Sequence, residues 1–227
     1  MRRIIKGQQP DELRRWKEDE VPQNLTYANM PGSAKAGVKR QMLAEQGYLC
    51  AYTMQRIPTP DDCQIEHVVP QKQPNQPPHM DIEYSNLLAC VPSNTPGHKP
   101  LVDNFPYGAP KKGGALVDDS NFVSPLREDV ERRFQYAADG SVTHLHTDGA
   151  AENTIKILRL DHEQLVDLRK AAIEERVLDL DTGLSPHEAE RLSRTIMIAD
   201  TTGRIPEFCL AISQVALWYA SRMREIN

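Results

Sequence analysis

The 227-residue chain has no apolar run long enough to cross a bilayer. Its most apolar stretch, Phe208 to Ala220, falls short of the roughly 20 residues a spanning helix needs, and Ser213 and Gln214 interrupt it. The opening Met1-Arg2-Arg3-Ile4-Ile5-Lys6-Gly7 lacks the apolar stretch of a secretory signal. Both gaps predict a cytoplasmic protein with no membrane partner. Cys50, Cys63, Cys90 and Cys209 are then expected to stay reduced rather than form disulfides. The sequon Asn24-Leu25-Thr26 has no secretory context and carries no weight. Net positive charge is missing too: 27 Lys and Arg against 32 Asp and Glu leave a formal −5. Nucleic-acid affinity comes largely from Lys and Arg at phosphates, so a polyanion-binding role requires local positive charge or a partner that supplies it. Lys111-Lys112-Gly113-Gly114 has neither the spacing nor the Ser/Thr of a phosphate-binding Walker loop. There is no internal repeat and no low-complexity tract. This length suffices for one core, or for one core with an appended helical lobe.

Taken in order, a basic arm precedes Pro10-Asp11-Glu12, which opens a short helix through Leu13 and Trp16. Residues Val21 to Gly32 read as a connector. A helix follows from about Ala34 to Glu45, stopped at Gly47, and its Lys35, Lys39 and Arg40 could track phosphates or simply face solvent. Leu49 to Ile57 is expected to form a hairpin or knuckle, Gln64 to Val69 a short strand, Pro74 to Met80 a loop, and Leu87 to Val91 a second strand. Lys99 to Asn104 is expected to be a helix, and Phe105 to Ser120 a long exposed loop. Phe134 to Tyr136 and Val142 to Leu145, with a turn at Asp139-Gly140, make a hairpin. Beyond Glu152 the chain reads as helical. Asp161 is expected to cap a long helix striped by Val166, Ile173, Val177 and Leu180. Ser185-Pro186-His187-Glu188 is a capping box, and Pro206 is expected to start the last helix. The fold class is α+β, divided as residues 1–47 (arm and helices), 48–147 (core with hairpin) and 148–227 (helical lobe).

The chemistry concentrates between Cys50 and His98. Three phrases follow in order: Ile65-Glu66-His67-Val68-Val69-Pro70, Tyr84-Ser85-Asn86-Leu87-Leu88 and Gly97-His98-Lys99. Phosphodiester cleavage needs a cation beside the leaving oxygen and a base for the attacking water. An imidazole is the side chain best placed to be that base at neutral pH. His67 is read as the base, and Glu66 with His98 as ligands of one Mg²⁺ or Mn²⁺. His79 or Asn94 could replace His98. His144 and His146 alternate on one strand face, where exposed decoration and metal binding are both open. Lys99, Lys111 and Lys112 are candidate phosphate contacts.

The ordered set resembles the HNH (ββα-metal) endonucleases of retron and Septu anti-phage systems, the PtuB-like family. The likeness includes the opening Met1 to Gly7, Glu45-Gln46-Gly47-Tyr48-Leu49-Cys50-Ala51-Tyr52, Ile65-Glu66-His67 with Pro70-Gln71, Tyr84 to Cys90, Gly97-His98-Lys99, and Arg132-Arg133-Phe134-Gln135-Tyr136 before Asp139-Gly140. It implies a ββα-metal nuclease core with a C-terminal helical lobe, the roles given above for Glu66, His67 and His98, and a bracing role for Asn86, which would orient His67. It also implies a DNA substrate, a PtuA-like ATPase partner and a part in antiviral defence. An adaptor that mainly binds the ATPase, or an RNA-cleaving enzyme, is the alternative. The family holds its core with a zinc knuckle of two CxxC-type pairs. Here the first pair is reduced to Cys50-Ala51-Tyr52-Thr53 and the second to Cys90. A closed structural zinc site needs four ligands, so no structural zinc is expected.

Overall fold

Pro10 sets an extended residue before acidic Asp11 and Glu12, and helix α1 (Asp11–Asp19) starts there. It lays buried Leu13 against α2 (Gly32–Glu45), whose inner face carries Ala34, Val38, Met42 and Leu43. The computed structural model describes residues 1–93, 105–178 and 183–226. After α2 the chain doubles back as the expected knuckle: Cys50 N–H donates to Gln55 O at 2.8 Å and Ile57 N–H to Tyr48 O at 2.9 Å. Strand β1 (Gln64–His67) then pairs antiparallel with β2 (Leu87–Cys90), placing Glu66 opposite Leu88 and His67 opposite Leu87. Gln46, buried at the end of α2, ties these parts together. Its amide donates to Leu49 O (2.7 Å) and Ala89 O (2.8 Å), while its oxygen accepts from Ala89 N–H (2.8 Å).

A one-turn helix α3 (Ala109–Lys112) and a second, α4 (Val130–Arg133), lead to the hairpin β3 (Phe134–Tyr136) and β4 (Val142–His144). Gly140 turns this hairpin at φ +81°, and a Cβ there would lie 2.2 Å from Val166 O, so only glycine fits. Then follow α5 (Gly149–Leu158), α6 (Glu163–Ile173) running into a π turn at Glu174–Leu178, α7 (Pro186–Thr195) and α8 (Cys209–Ile226). The capping box at Ser185 and Glu188 is formed, with Ser185 N–H on Glu188 Oε2 at 2.9 Å. Among the described residues the architecture is mixed α+β, with two small antiparallel sheets among helices. Among the described residues, no helix is long and apolar enough to cross a membrane.

Several expectations need correction. Phe105 to Ser120 is not one exposed loop: Phe105, Tyr107, Ala109 and Val117 are buried, and α3 lies within it. Helix α6 is capped by His162, whose ring accepts from Gln164 N–H, and not by Asp161. Its buried stripe is Leu165, Arg169, Ile173 and Val177, because Arg169 donates to the carbonyls of Gly140 and Leu160 at 2.7 Å each and so belongs inside. Helix α8 begins at Cys209, since Phe208 sits at φ +52°, outside helical space. The basic arm is packed, with Met1 and Ile4 buried. Lys6 pairs with Glu45 at 3.1 Å and lies over the Tyr84 ring. Among the described residues, one buried cluster extends from Met1 to Ala216. The helix expected at Lys99 to Asn104 lies outside the described residues, as does Leu180.

The hairpin is pinned to α5 by Arg133, whose Nε donates to Asp148 Oδ2 at 2.6 Å while Ala151 N–H donates to Oδ1 at 3.0 Å. The Arg133 hydrogen bond holds the Asp148 carboxyl below its ordinary range. The folded-state value is depressed, so the stabilisation is present above the unfolded value near 3.9 and is lost as pH falls through the folded one. Asp148→Asn is expected to cost about 1–2 kcal/mol at pH 7. Urea unfolding of both proteins checks it: the gap should narrow toward pH 3, and a gap independent of pH would contradict the assignment.

Candidate active site

Side chains alternate across a strand, so Glu66 and His67 leave β1 on opposite sides. Both nevertheless line one open cleft of about 320 Å³, together with Gln71, Lys72, Gly113 and Gly114. His67 is 7% exposed. Its Nε2 lies 2.8 Å from the Asp81 carbonyl, which can only accept, so Nε2 carries the proton. That leaves the lone pair on Nδ1, where the Gln71 amide donates at 3.3 Å. The Tyr27 ring meets the imidazole edge-on at 4.6 Å. Burial lowers His67 from its ordinary value, against the opposing pull of the Asp81 carbonyl. A neutral ring of fixed tautomer is what a general base requires.

Asn86 is buried and its amide is fully used. Its oxygen accepts from Val69 N–H at 2.7 Å, and its nitrogen donates to Val69 O and Met80 O at 3.0 Å each. It thus welds the segment after β1 to the segment before β2, and Met80 adjoins the Asp81 whose carbonyl holds His67. Asn86 thus braces the backbone on which the His67 contact depends. Asn86→Ala is expected to cost about 2–4 kcal/mol, because it strands buried backbone groups. The imidazole NMR signals of His67 should also move, and unchanged signals would contradict the bracing role.

Glu66 Oε1 accepts from the Lys112 ammonium at 2.8 Å and from the Tyr52 hydroxyl at 3.3 Å. Lys112 also donates to His67 O at 2.7 Å. Its side chain is 0% exposed and that of Glu66 13%. Burial raises the Glu66 carboxyl, and Lys112 opposes that rise. The expectation that Lys112 reaches out to phosphate is therefore corrected: opposite charge draws it inward onto the site's own carboxylate. Lys111 beside it is exposed. The signal that could have located Lys112 was Glu66 itself, a carboxylate on a short apolar strand in need of a counter-charge.

His98, Lys99 and Asn94 lie outside the described residues. His79 is exposed, with Nδ1 2.8 Å from Leu25 O. His144 bonds Leu145 O at 2.7 Å, and His146 is exposed. Among the described residues, no three His, Cys, Asp or Glu converge as a metal cluster. A Mg²⁺ ion keeps several waters and takes one or two carboxylates plus substrate phosphates. Glu66 fits one such position: it lines the cleft, and the bonds from Lys112 and Tyr52 both fall on Oε1 rather than Oε2. Cys50 and Cys90 lie together, buried, behind the site. Burial raises the Cys50 thiol, but hydrogen bonds from Cys90, Thr53 and the Val91 N–H outweigh this and bring it to about 6. Burial and Cys50 push Cys90 upward instead. Cys63 bonds the Pro60 carbonyl at 3.4 Å.

The cationic side chains elsewhere are mostly engaged. Arg3 pairs with Glu128 at 2.9 Å, Arg40 with Glu12 at 2.5 Å, and Lys35 lies over the Tyr27 ring. No protein-family model and no curated protein sequence matches this chain.

Proposed function

We propose that this protein is a metal-dependent endonuclease of the HNH type that hydrolyses phosphodiester bonds of DNA, as the nuclease subunit of an ATPase–nuclease antiviral defence complex. The observation that carries the reading is His67. It is a buried, neutral imidazole held by the Asp81 carbonyl, with the Nδ1 lone pair bonded only by the long Gln71 contact, in a cleft it shares with a carboxylate. Strands β1 and β2 would be the two strands of the ββα core.

A divalent ion, when bound, supplies positive charge at the scissile phosphate and the leaving oxygen. Glu66 would hold it, joined by His98. His67 Nδ1 takes the proton of the attacking water, and its Nε2–H stays on Asp81, so the ring does not turn as it charges. Asn86 keeps that carbonyl in place.

The formal −5, with Arg3, Lys6 and Arg40 already in ion pairs, supports a partner that supplies DNA affinity. A PtuA-like ATPase is that proposed partner. One observation favours the alternative of a gated or idle subunit: Lys112 neutralises Glu66. The test is co-purification with a candidate ATPase, then cleavage of plasmid DNA and of RNA by the chain alone and by the complex across a salt series. The complex should cut DNA at physiological salt, where the chain alone cuts poorly. A chain that cuts equally well alone, or forms no complex, would contradict the partner, and preferential RNA cleavage would contradict the substrate.

A further inference from the structure

We propose that Lys112 and the divalent ion compete for the Glu66 carboxylate, so that Lys112 acts as a latch on the site. This rests on the nuclease reading above and adds its control. Lys112 bonds Glu66 Oε1 at 2.8 Å and His67 O at 2.7 Å, with no part of its side chain exposed. In this position the ammonium is out of reach of a substrate phosphate and acts through Glu66. With it in place the Glu66–Lys112 pair carries no net charge, and a divalent ion on Oε2 would face a buried positive charge a few ångströms away. Such charges repel strongly where water is scarce. The ion binds well only when the ammonium leaves.

The segment that carries Lys112 is anchored at its start, where Gly108 N–H donates to Leu158 O at 2.7 Å, and open at its end. Helix α3 is a single turn, flanked by Gly108 at φ +73° and Gly113 at φ +48°. Gly113 and Gly114 are exposed and line the same cleft. A Cβ on Gly113 would meet no atom closer than 3.8 Å, so the turn is not wedged by neighbours on that side. Rotation there moves Lys112 from beneath Glu66 toward the cleft mouth. In that position a cation is next to the bound polyanion, so DNA and the ion would both favour the open form.

The test measures Mn²⁺ binding to the full chain by electron paramagnetic resonance at pH 8, for wild type, Lys112→Met and Glu66→Gln. Lys112→Met should bind Mn²⁺ at least about tenfold more tightly than wild type, since one unit of repulsion is gone. Glu66→Gln should bind much more weakly. Because Lys112→Met leaves a buried carboxylate and could unfold, a second measurement uses wild type alone. Reductive methylation of Lys112, read by mass spectrometry, should be slow without the ion and rise severalfold with Mg²⁺. Wild-type binding through Glu66 with Lys112→Met no tighter, or labelling that Mg²⁺ does not change, overturns the competition and leaves the nuclease reading standing. Binding that survives Glu66→Gln, or no binding by any form, overturns the metal site and the latch with it.

Discussion

His67→Ala is expected to reduce DNA cleavage by about 10² to 10⁴-fold, the usual cost of removing a general base, while Mn²⁺ binding stays within about twofold. The two readouts separate because the imidazole bonds Asp81 O and Gln71 and makes no contact with the Glu66 carboxylate. The substitution also leaves the Asp81 carbonyl and the Tyr27 ring edge without their partner. A loss of about 1–3 kcal/mol of stability should follow, so cleavage is compared at a temperature where both proteins are folded. His67→Asn and His67→Gln give a second check: amides cannot take up a proton, so both should be as inactive as alanine. Cleavage by any of the three near the wild-type rate would remove His67 from the mechanism.

Glu66→Ala is expected to be among the most destabilising single changes in the chain. It deletes one member of an ion pair that is almost out of water and leaves the Lys112 ammonium with the His67 carbonyl as its described partner. Breaking such a pair from one side costs about 3–5 kcal/mol, or on the order of 10 °C in melting temperature for a chain of this size. Glu66→Ala with Lys112→Met should recover most of that loss, because neither charge is then left alone. Thermal unfolding of the wild type, both single variants and the double variant closes the cycle. Strictly additive losses would mean that the two groups do not depend on each other, and the latch would have no energetic basis.

The parts legible in the sequence were those that local chemistry decides. The capping box at Ser185 and Glu188, the Asp139-Gly140 hairpin turn and the order of β1 and β2 each depend on a few adjacent residues, and each is found where its pattern lies. Glu66 and His67 were visible as a pair on a short apolar strand. Long-range partners were not legible. Lys112 sits in a Gly-, Pro- and Lys-rich stretch that reads as exposed, and only the distant carboxylate explains its burial. The basic arm has equally distant partners: Glu45 and the Tyr84 ring hold Lys6, and Glu128 holds Arg3. Arg169 likewise reads as a polar break in a helix until the carbonyls of Gly140 and Leu160 are known to need its donors. The start of α8 shifted because Phe208 takes a positive φ that composition does not announce.

We propose that Glu66 and His67 form a divalent-ion phosphodiesterase site. The most direct test is single-turnover nicking of supercoiled plasmid at low salt, where weak DNA affinity is least limiting, with the protein in excess. Wild-type protein in Mg²⁺ or Mn²⁺ should convert supercoiled to nicked DNA, and EDTA or His67→Ala should stop it. Nicking that persists in EDTA or in His67→Ala, or no nicking by the wild type with the ion and its ATPase partner both present, would contradict the account.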